Sequence, residues 1–417
     1  MTTTSASTGL DHRIRRMSGR PIDEVHRTAT PLELLFDLTL VVAFGVASEQ
    51  TAQLLAAGHV GAALGGFGFA MFAVVWAWIG FSWFASAFDT DDWFYRVTTM
   101  VQMVGVIVLA LGLPPMFSSI DEGGAVNNEL MVAGYVVMRV AVLTQWLRVA
   151  RQDPDHRRVA LSYVFFLAVS QTGWVALLFL RDRPWWLFVP ALMVVVFLDV
   201  GGVFLSENRA GGTPWHPHHI AERYGLLVII ALGEVILGTV ASVSAVVEKQ
   251  GWSGEAIMIV SAGVGLSFAL WWIYFTVPSG LVLARHRERS FGWGYGHIFI
   301  YAAIPGVGAG LRVAGRLAQG EARLSTQGAV LTVAVPTLMF LLAVFFLYSY
   351  LVHSVDRFHY LLFGGALVAL VAAVVLAASG GGFGLCLILV ALAPVITIVG
   401  YETVGHRHQA AVLAADR

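Results

Sequence analysis

Apolar residues run along this chain in blocks of about twenty or more, and short polar segments between them hold most of the charges. The blocks lie near residues 31–52, 60–86, 93–115, 129–150, 157–180, 184–205, 220–245, 253–281, 293–312, 326–352, 358–379 and 382–403. At about 1.5 Å of rise per residue, each is long enough as a helix to cross a hydrocarbon layer about 30 Å thick. The pattern predicts an all-α polytopic membrane protein with about 12 transmembrane helices.

Composition agrees. Hydrophobic residues make up 58% of the chain and charged residues 12%, and the mean hydropathy is +0.76. A soluble chain has about a quarter of its residues charged. Residues 1–30 are polar, carry Arg13, Arg15, Arg16, Arg20 and Arg27, and contain no apolar core of a secretory signal. With this basic arm in the cytoplasm, most of the 25 basic residues fall on that side, so both termini are expected there. Arg181, Arg183, Lys249, Arg312, Arg316 and Arg323 fall on the opposite side, and the segment 312–323 fits the rule worst. Cys386 is the only cysteine and Lys249 the only lysine. Disulfides and thiolate metal clusters are therefore excluded, as is a retinal or pyridoxal Schiff base within the bundle.

The chain also reads as two similar halves. An acid stands at the start of the first and seventh blocks (Glu33 and Glu222), and Trp78-Ile-Gly-Phe81-Ser82 matches Trp272-Ile-Tyr-Phe275-Thr276 one helix later. With six helices in each half, the halves would be parallel six-helix repeats related by an axis along the membrane normal. The expected organisation is a basic arm (1–30), a first repeat (31–205), a cytoplasmic linker (206–218), a second repeat (219–403) and a cytoplasmic tail (404–417).

Charges inside these helices carry the candidate chemistry, because a charge at mid-bilayer costs roughly 2.5–3.5 kcal/mol unless it faces protein or water. Glu33 and Asp37 share one face of the first helix. His219, Glu222 and Arg223 open the seventh, and Glu234 follows Arg223 by three turns, about 16 Å along the axis. Arg139 and Asp199 are also deep. Glu33, Glu222 and Arg223 lie near enough to the interface to be solvated end charges, and a first-turn carboxylate is favoured by the helix dipole without any ligand. For Asp37, Arg139 and Glu234 the bland alternative is a structural ion pair. The stretch Trp215-His216-Pro-His218-His219, followed by Glu222, has metal-ligand spacing, but it reads more readily as a capping segment. Asp89-Thr-Asp91-Asp92 lacks the later Gly and Glu of a calcium loop, and should cap the third helix through Asp91 or Asp92. His297, in Gly-Trp-Gly-Tyr-Gly-His, sits where glycines let helices approach closely and where a buried imidazole could titrate.

Four motifs stand in order along the chain: ELLFDLTLVVAF, FDTDDWFYR, HIAERYGLLVIIALGE, and WWIYF followed by WGYGH. Together they resemble the bacterial low temperature requirement A family from about residue 27 to 310, beyond which only hydropathy agrees. The family pattern has Asn-Arg where this chain has Ser86-Ala87, and Ser where it has Val235. The resemblance implies a multipass protein of the bacterial inner membrane and brings no known substrate. The expected function is a transporter or channel for an ion or small solute. Its core would be Asp37, Arg139 and Glu234, at a polar site between the halves. Both acids would line one shared cavity, with Arg139 or Arg223 compensating at least one of them and proton coupling through the carboxylates. Glu33, Glu222, Arg223, His219 and His297 would be further site residues. The alternatives are a membrane-embedded enzyme acting on a lipid or isoprenoid and a lipid-sensing or structural protein. The first would use His219, Glu222, Glu234 and His297 as acid, base or metal ligands. The expected partners are membrane lipids, a small solute or ion, and a possible second copy of the chain. No nucleic acid and no cofactor is expected.

Overall fold

The computed structural model describes residues 14–24, 27–181, 183–354 and 357–415; the first part of the basic arm, with Arg13, and the last two residues of the tail lie outside this description. The described residues form α1 (Pro31–Ala56), α2 (Val60–Phe88), α3 (Trp93–Asp121), α4 (Glu129–Gln152), α5 (Arg157–Leu178), α6 (Trp185–Arg209), α7 (Pro217–Ala231) and α8 (Gly233–Gln250). After these come α9 (Gly254–Phe275), α10 (Ser279–Arg285), α11 (Ser290–Gln319), α12 (Thr326–Val352), α13 (Arg357–Ala378), α14 (Phe383–Gly400) and α15 (His406–Ala415). Grouped into continuous stretches they give 12 segments long and apolar enough to cross a membrane. There is no strand among the described residues. The all-α polytopic reading is therefore correct.

Helix ends follow their capping chemistry. Asp92 caps α3 by accepting from the Tyr95 N–H at 2.8 Å, as the acidic loop predicts. Ser253 and Ser325 cap α9 and α12 through Ala256 N–H and Gly328 N–H. Gly320, at φ +83°, ends α11 in the left-handed conformation that glycine takes without strain. That end corrects one boundary. The ninth helix was expected to stop near 312, but it continues to Gln319, so Arg312 and Arg316 are helical residues.

The chain packs as two compact units. The first contains the described residues up to Phe36, Gly80–Leu109 and Glu129–His216. In it, the segment before α1 is strapped down. Met17 is fully buried among Phe88, Trp146 and Val149, while Arg20 N–H donates to the Ala87 carbonyl and Gly19 N–H to Asp153. Arg148 pairs with Asp92. Gly105 and Gly134 leave no room for a Cβ, so α3 and α4 meet backbone to backbone.

The second unit contains Asp37–Ile79, Ala110–Asn128 and the chain from Pro217 onward. Here α8 lies against α11 along another glycine seam. A Cβ on Gly238 would fall 2.4 Å from the Gly308 carbonyl oxygen, and one on Gly308 would fall 2.5 Å from that of Glu234. The seventh apolar block is not one continuous helix. It is interrupted at Leu232, where the Val235 N–H turns back to the Leu232 carbonyl in a tighter three-residue bond. Glu234 stands in the first turn after this break.

Candidate functional site

The stretch of α1 within the second unit sets the geometry. Asp37, Leu40, Phe44 and Ser48 recur at three- and four-residue steps, so they form one stripe along the helix. Each of the four is fully buried. A polar cluster gathers at each end of the stripe, about 16 Å apart by helical rise.

At the first end, Asp37 Oδ1 accepts from Trp78 Nε1 at 2.6 Å and from Arg223 at 2.5 Å. Neither side chain of this ion pair is exposed. The Arg223 guanidinium also stands 5.8 Å from the centre of the Trp78 ring, within cation–π range. Aromatic rings close the cluster: Tyr224 and Tyr301 meet Trp78 edge-on, and Trp293 and His297 pack on Tyr224. His297 Nδ1 faces the Trp293 carbonyl at 2.8 Å, so Nδ1 carries a proton, and Nε2 is hydrogen-bonded to the Tyr274 hydroxyl at 3.0 Å. These two bonds fix the orientation of the His297 ring. The glycines beside it act as expected, with Gly292 and Gly296 bringing α11 against Tyr350 and Leu347 of α12.

At the second end, Glu234 Oε2 accepts from Arg312 at 3.0 Å. Arg312 also donates to Ser48 at 2.8 Å and lies 3.4 Å from Glu49, which is bound in turn by Arg316 at 2.5 Å. Exposure rises outward along this series, from 4% for the Glu234 side chain to 13% for Arg312 and 30% and 39% for Arg316 and Glu49. Gly45 makes room on α1, because a Cβ there would stand 2.9 Å from Glu234 Oε1. The result is a ladder of alternating charge that leads from an exposed helix end to a buried carboxylate.

The remaining predicted residues separate. Arg223 compensates Asp37, but Arg139 compensates neither acid: in the first unit it pairs with Asp199 at 3.0 Å, with Ser170 and Trp174 completing the carboxylate's bonds. Asp37 and Glu234 belong to two clusters on one helix face, not to a single cavity as expected. Glu33, in the first unit, is a capping residue: it accepts from the Thr30 N–H at 2.7 Å, while its own N–H donates to Thr30 Oγ1. His219 is fully buried and Glu222 exposed. Among the described residues, no three His, Cys, Asp or Glu side chains group as a metal set. Glu49, Arg312 and Arg316 escaped the sequence reading. The signal for the two arginines was the misfit at 312–323, since arginines that break the expected charge bias call for a partner within the protein.

The family model described as "Bacterial low temperature requirement A protein (LtrA)" matches residues 28–394. Among curated proteins the chain is similar to the uncharacterized protein RA0937 of Rhizobium meliloti (strain 1021), with 26% identity over 298 residues that cover 65% of this chain and 66% of that protein. The chain thus spans just under two thirds of the length of the curated relative it matches. No solved structure matches it. With its motifs in order and the family model matched along most of its length, the chain belongs to the bacterial low temperature requirement A family.

Proposed function

We propose that this membrane protein is a transporter that moves a proton or small cation along the buried stripe of α1, and that it sits in the bacterial inner membrane with both termini cytoplasmic. The observation that carries this reading is the pairing of two charge clusters on one helix face, with Leu40 and Phe44 as the apolar barrier between them. Arg312 is the moving part. A guanidinium stays charged at any physiological pH, so when a proton or cation neutralises Glu234 its attraction passes to Glu49. Arg312 would then swing outward along the ladder, and return when Glu234 is freed. The bilayer costs of charge make the two positions discrete. A direct test is to reconstitute the protein in sealed vesicles and follow proton, sodium and potassium movement under imposed gradients. Flux above that of protein-free vesicles supports the proposal, and its absence for all three ions ends it.

The aromatic wall around Asp37 and His297 favours a second reading, an enzyme acting on a lipid or isoprenoid, in which the rings would shelter a cationic intermediate. A covalently altered lipid after incubation with the protein would support it.

A further inference from the structure

Three spans of the second unit are interrupted at one level. The α7–α8 span breaks at Leu232, α11 contains Pro305 and α12 contains Pro336. A proline has no N–H to give the carbonyl four residues before it, so Tyr301 and Thr332 lose their helical donors and both helices can bend there. The two prolines are neighbours, since a Cβ on Gly306 would stand 3.1 Å from Pro336 Cβ. Gly308, three residues past Pro305, lies against the Glu234 carbonyl, two residues past Leu232. The three breaks therefore fall within about one helical turn of each other in depth.

Past the breaks, three half-helices join backbone to backbone: α8, residues 306–319 of α11 and residues 326–335 of α12. Gly238 and Gly308 leave no room for a Cβ between α8 and α11, and one on Gly315 would stand 3.1 Å from the Ser242 Cα. Gly310 lies directly against the Thr332 carbonyl of α12. Such contacts have no side-chain rotamers to rearrange, so the three half-helices form one rigid body. Its border with α1 and α2 is different in kind. There Ala309, Val313 and Ala329 cluster with Ala52, Leu55 and Ala63, small side chains that can slide past each other. Arg312 and Arg316 cross the border to Glu49 at 3.4 and 2.5 Å, so one carboxylate ties both arginines to α1. Ser48 donates to the Pro305 carbonyl at 3.1 Å and pins the root of the body. In the α11–α12 loop, Arg323 N–H donates to the Ala56 carbonyl at 2.7 Å.

We propose that α8 and the adjoining halves of α11 and α12 swing as one body about Leu232, Pro305 and Pro336, with Glu49 as the latch that holds the body closed against α1. Release of the latch withdraws Glu234 from Gly45 and Ser48 of α1 and opens it towards the exposed end of the ladder. The device names the moving body at the site of the transport reading and rests on that reading for its purpose, but the motion is measured without any flux.

The test is double electron–electron resonance between spin labels on the purified full chain in a Cys386→Ser background. One labelled pair, Val60→Cys with Glu321→Cys, spans the border; the other, Glu248→Cys with Glu321→Cys, lies within the body. All three sites are exposed. Glu49→Gln, at a side chain 39% exposed, unties both arginines while Arg312 keeps Glu234. The border distance should then shift by about 5 Å, on the scale of one helical turn, while the internal distance holds. Adding Pro305→Ala and Pro336→Ala returns a donor to each orphaned carbonyl and should remove about half of that shift or more. A border distance unchanged by Glu49→Gln would overturn the proposal, as would an internal distance that moves equally or a shift undiminished by the two alanines. If vesicles carry no ion while the distances behave as described, the moving body stands and the transport reading falls.

Discussion

Arg312 contacts three acceptors on two helices, Ser48 and Glu49 of α1 and Glu234 of α8. Removing one partner of a buried pair leaves an uncompensated charge and costs about 3–5 kcal/mol, whereas removing both costs far less. Arg312→Gln alone should therefore lower thermal stability more than Arg312→Gln with Glu234→Gln, and a double-mutant cycle on melting temperatures checks the sign. Asp89 gives a second residue-scale prediction. Burial and the neighbouring Glu33 push its carboxyl up from 3.8 to about 6, while Arg27 and Arg20 and the Asp91 N–H pull it down less. The folded protein thus binds this proton more tightly than the unfolded chain. Its stabilising share is complete below about pH 4 and is lost as pH rises to about 6, by roughly 3 kcal/mol at about 1.4 kcal/mol per unit. Asp89→Asn should flatten stability across that window. A variant as pH-dependent as the unmodified protein would show that the strain sits elsewhere. The acids Asp37 and Glu234 were legible in the sequence because a charge inside an apolar block has no cheap explanation. Their partners were only half legible, since spacing along one helix says nothing about which other helix supplies the cation.

Among the elements, the broken span α7–α8 and its seam with α11 fix where Glu234 points. Apolar periodicity could locate the span, but the interruption at Leu232 left no mark there, because Ala231-Leu232-Gly233 is as apolar as its flanks. The glycine seam was visible only as composition; which glycines face another backbone depends on tertiary contact. Gly308→Ala drives a methyl into the Glu234 carbonyl oxygen and should cost about 1–3 kcal/mol, as overpacking does. Gly265→Ala on α9, where a Cβ meets nothing within 4 Å, should be neutral. Equal melting temperatures for the two variants would contradict the close approach. Gly45→Ala presses only on the tip of the Glu234 side chain, which can move, so it should alter flux more than stability.

For the whole molecule, hydropathy alone sufficed for the twelve spans, while the assignment of helices to units was beyond it. Residues 37–79 pack in the unit that begins again at Pro217, across a long stretch of sequence. Residues 217–417 expressed alone would then leave Arg223, Arg312 and Arg316 without Asp37 and Glu49, and should not yield a folded protein. Co-expression with residues 1–216 should restore it; a stable 217–417 fragment would contradict this pairing. The six-plus-six repeat remains a proposal about pseudo-symmetry, distinct from this packing. The central claim is that Glu234 is a mid-membrane acid kept for a passing charge, and the most direct measurement compares ion flux through vesicles containing the unmodified protein and Glu234→Gln. The amide keeps the size of the acid and much of its hydrogen bonding, and Arg312 keeps Glu49. The account therefore predicts a variant that is purified and melts nearly as before but carries no proton- or cation-dependent flux. Flux equal to that of the unmodified protein in a well-folded Glu234→Gln preparation would contradict it.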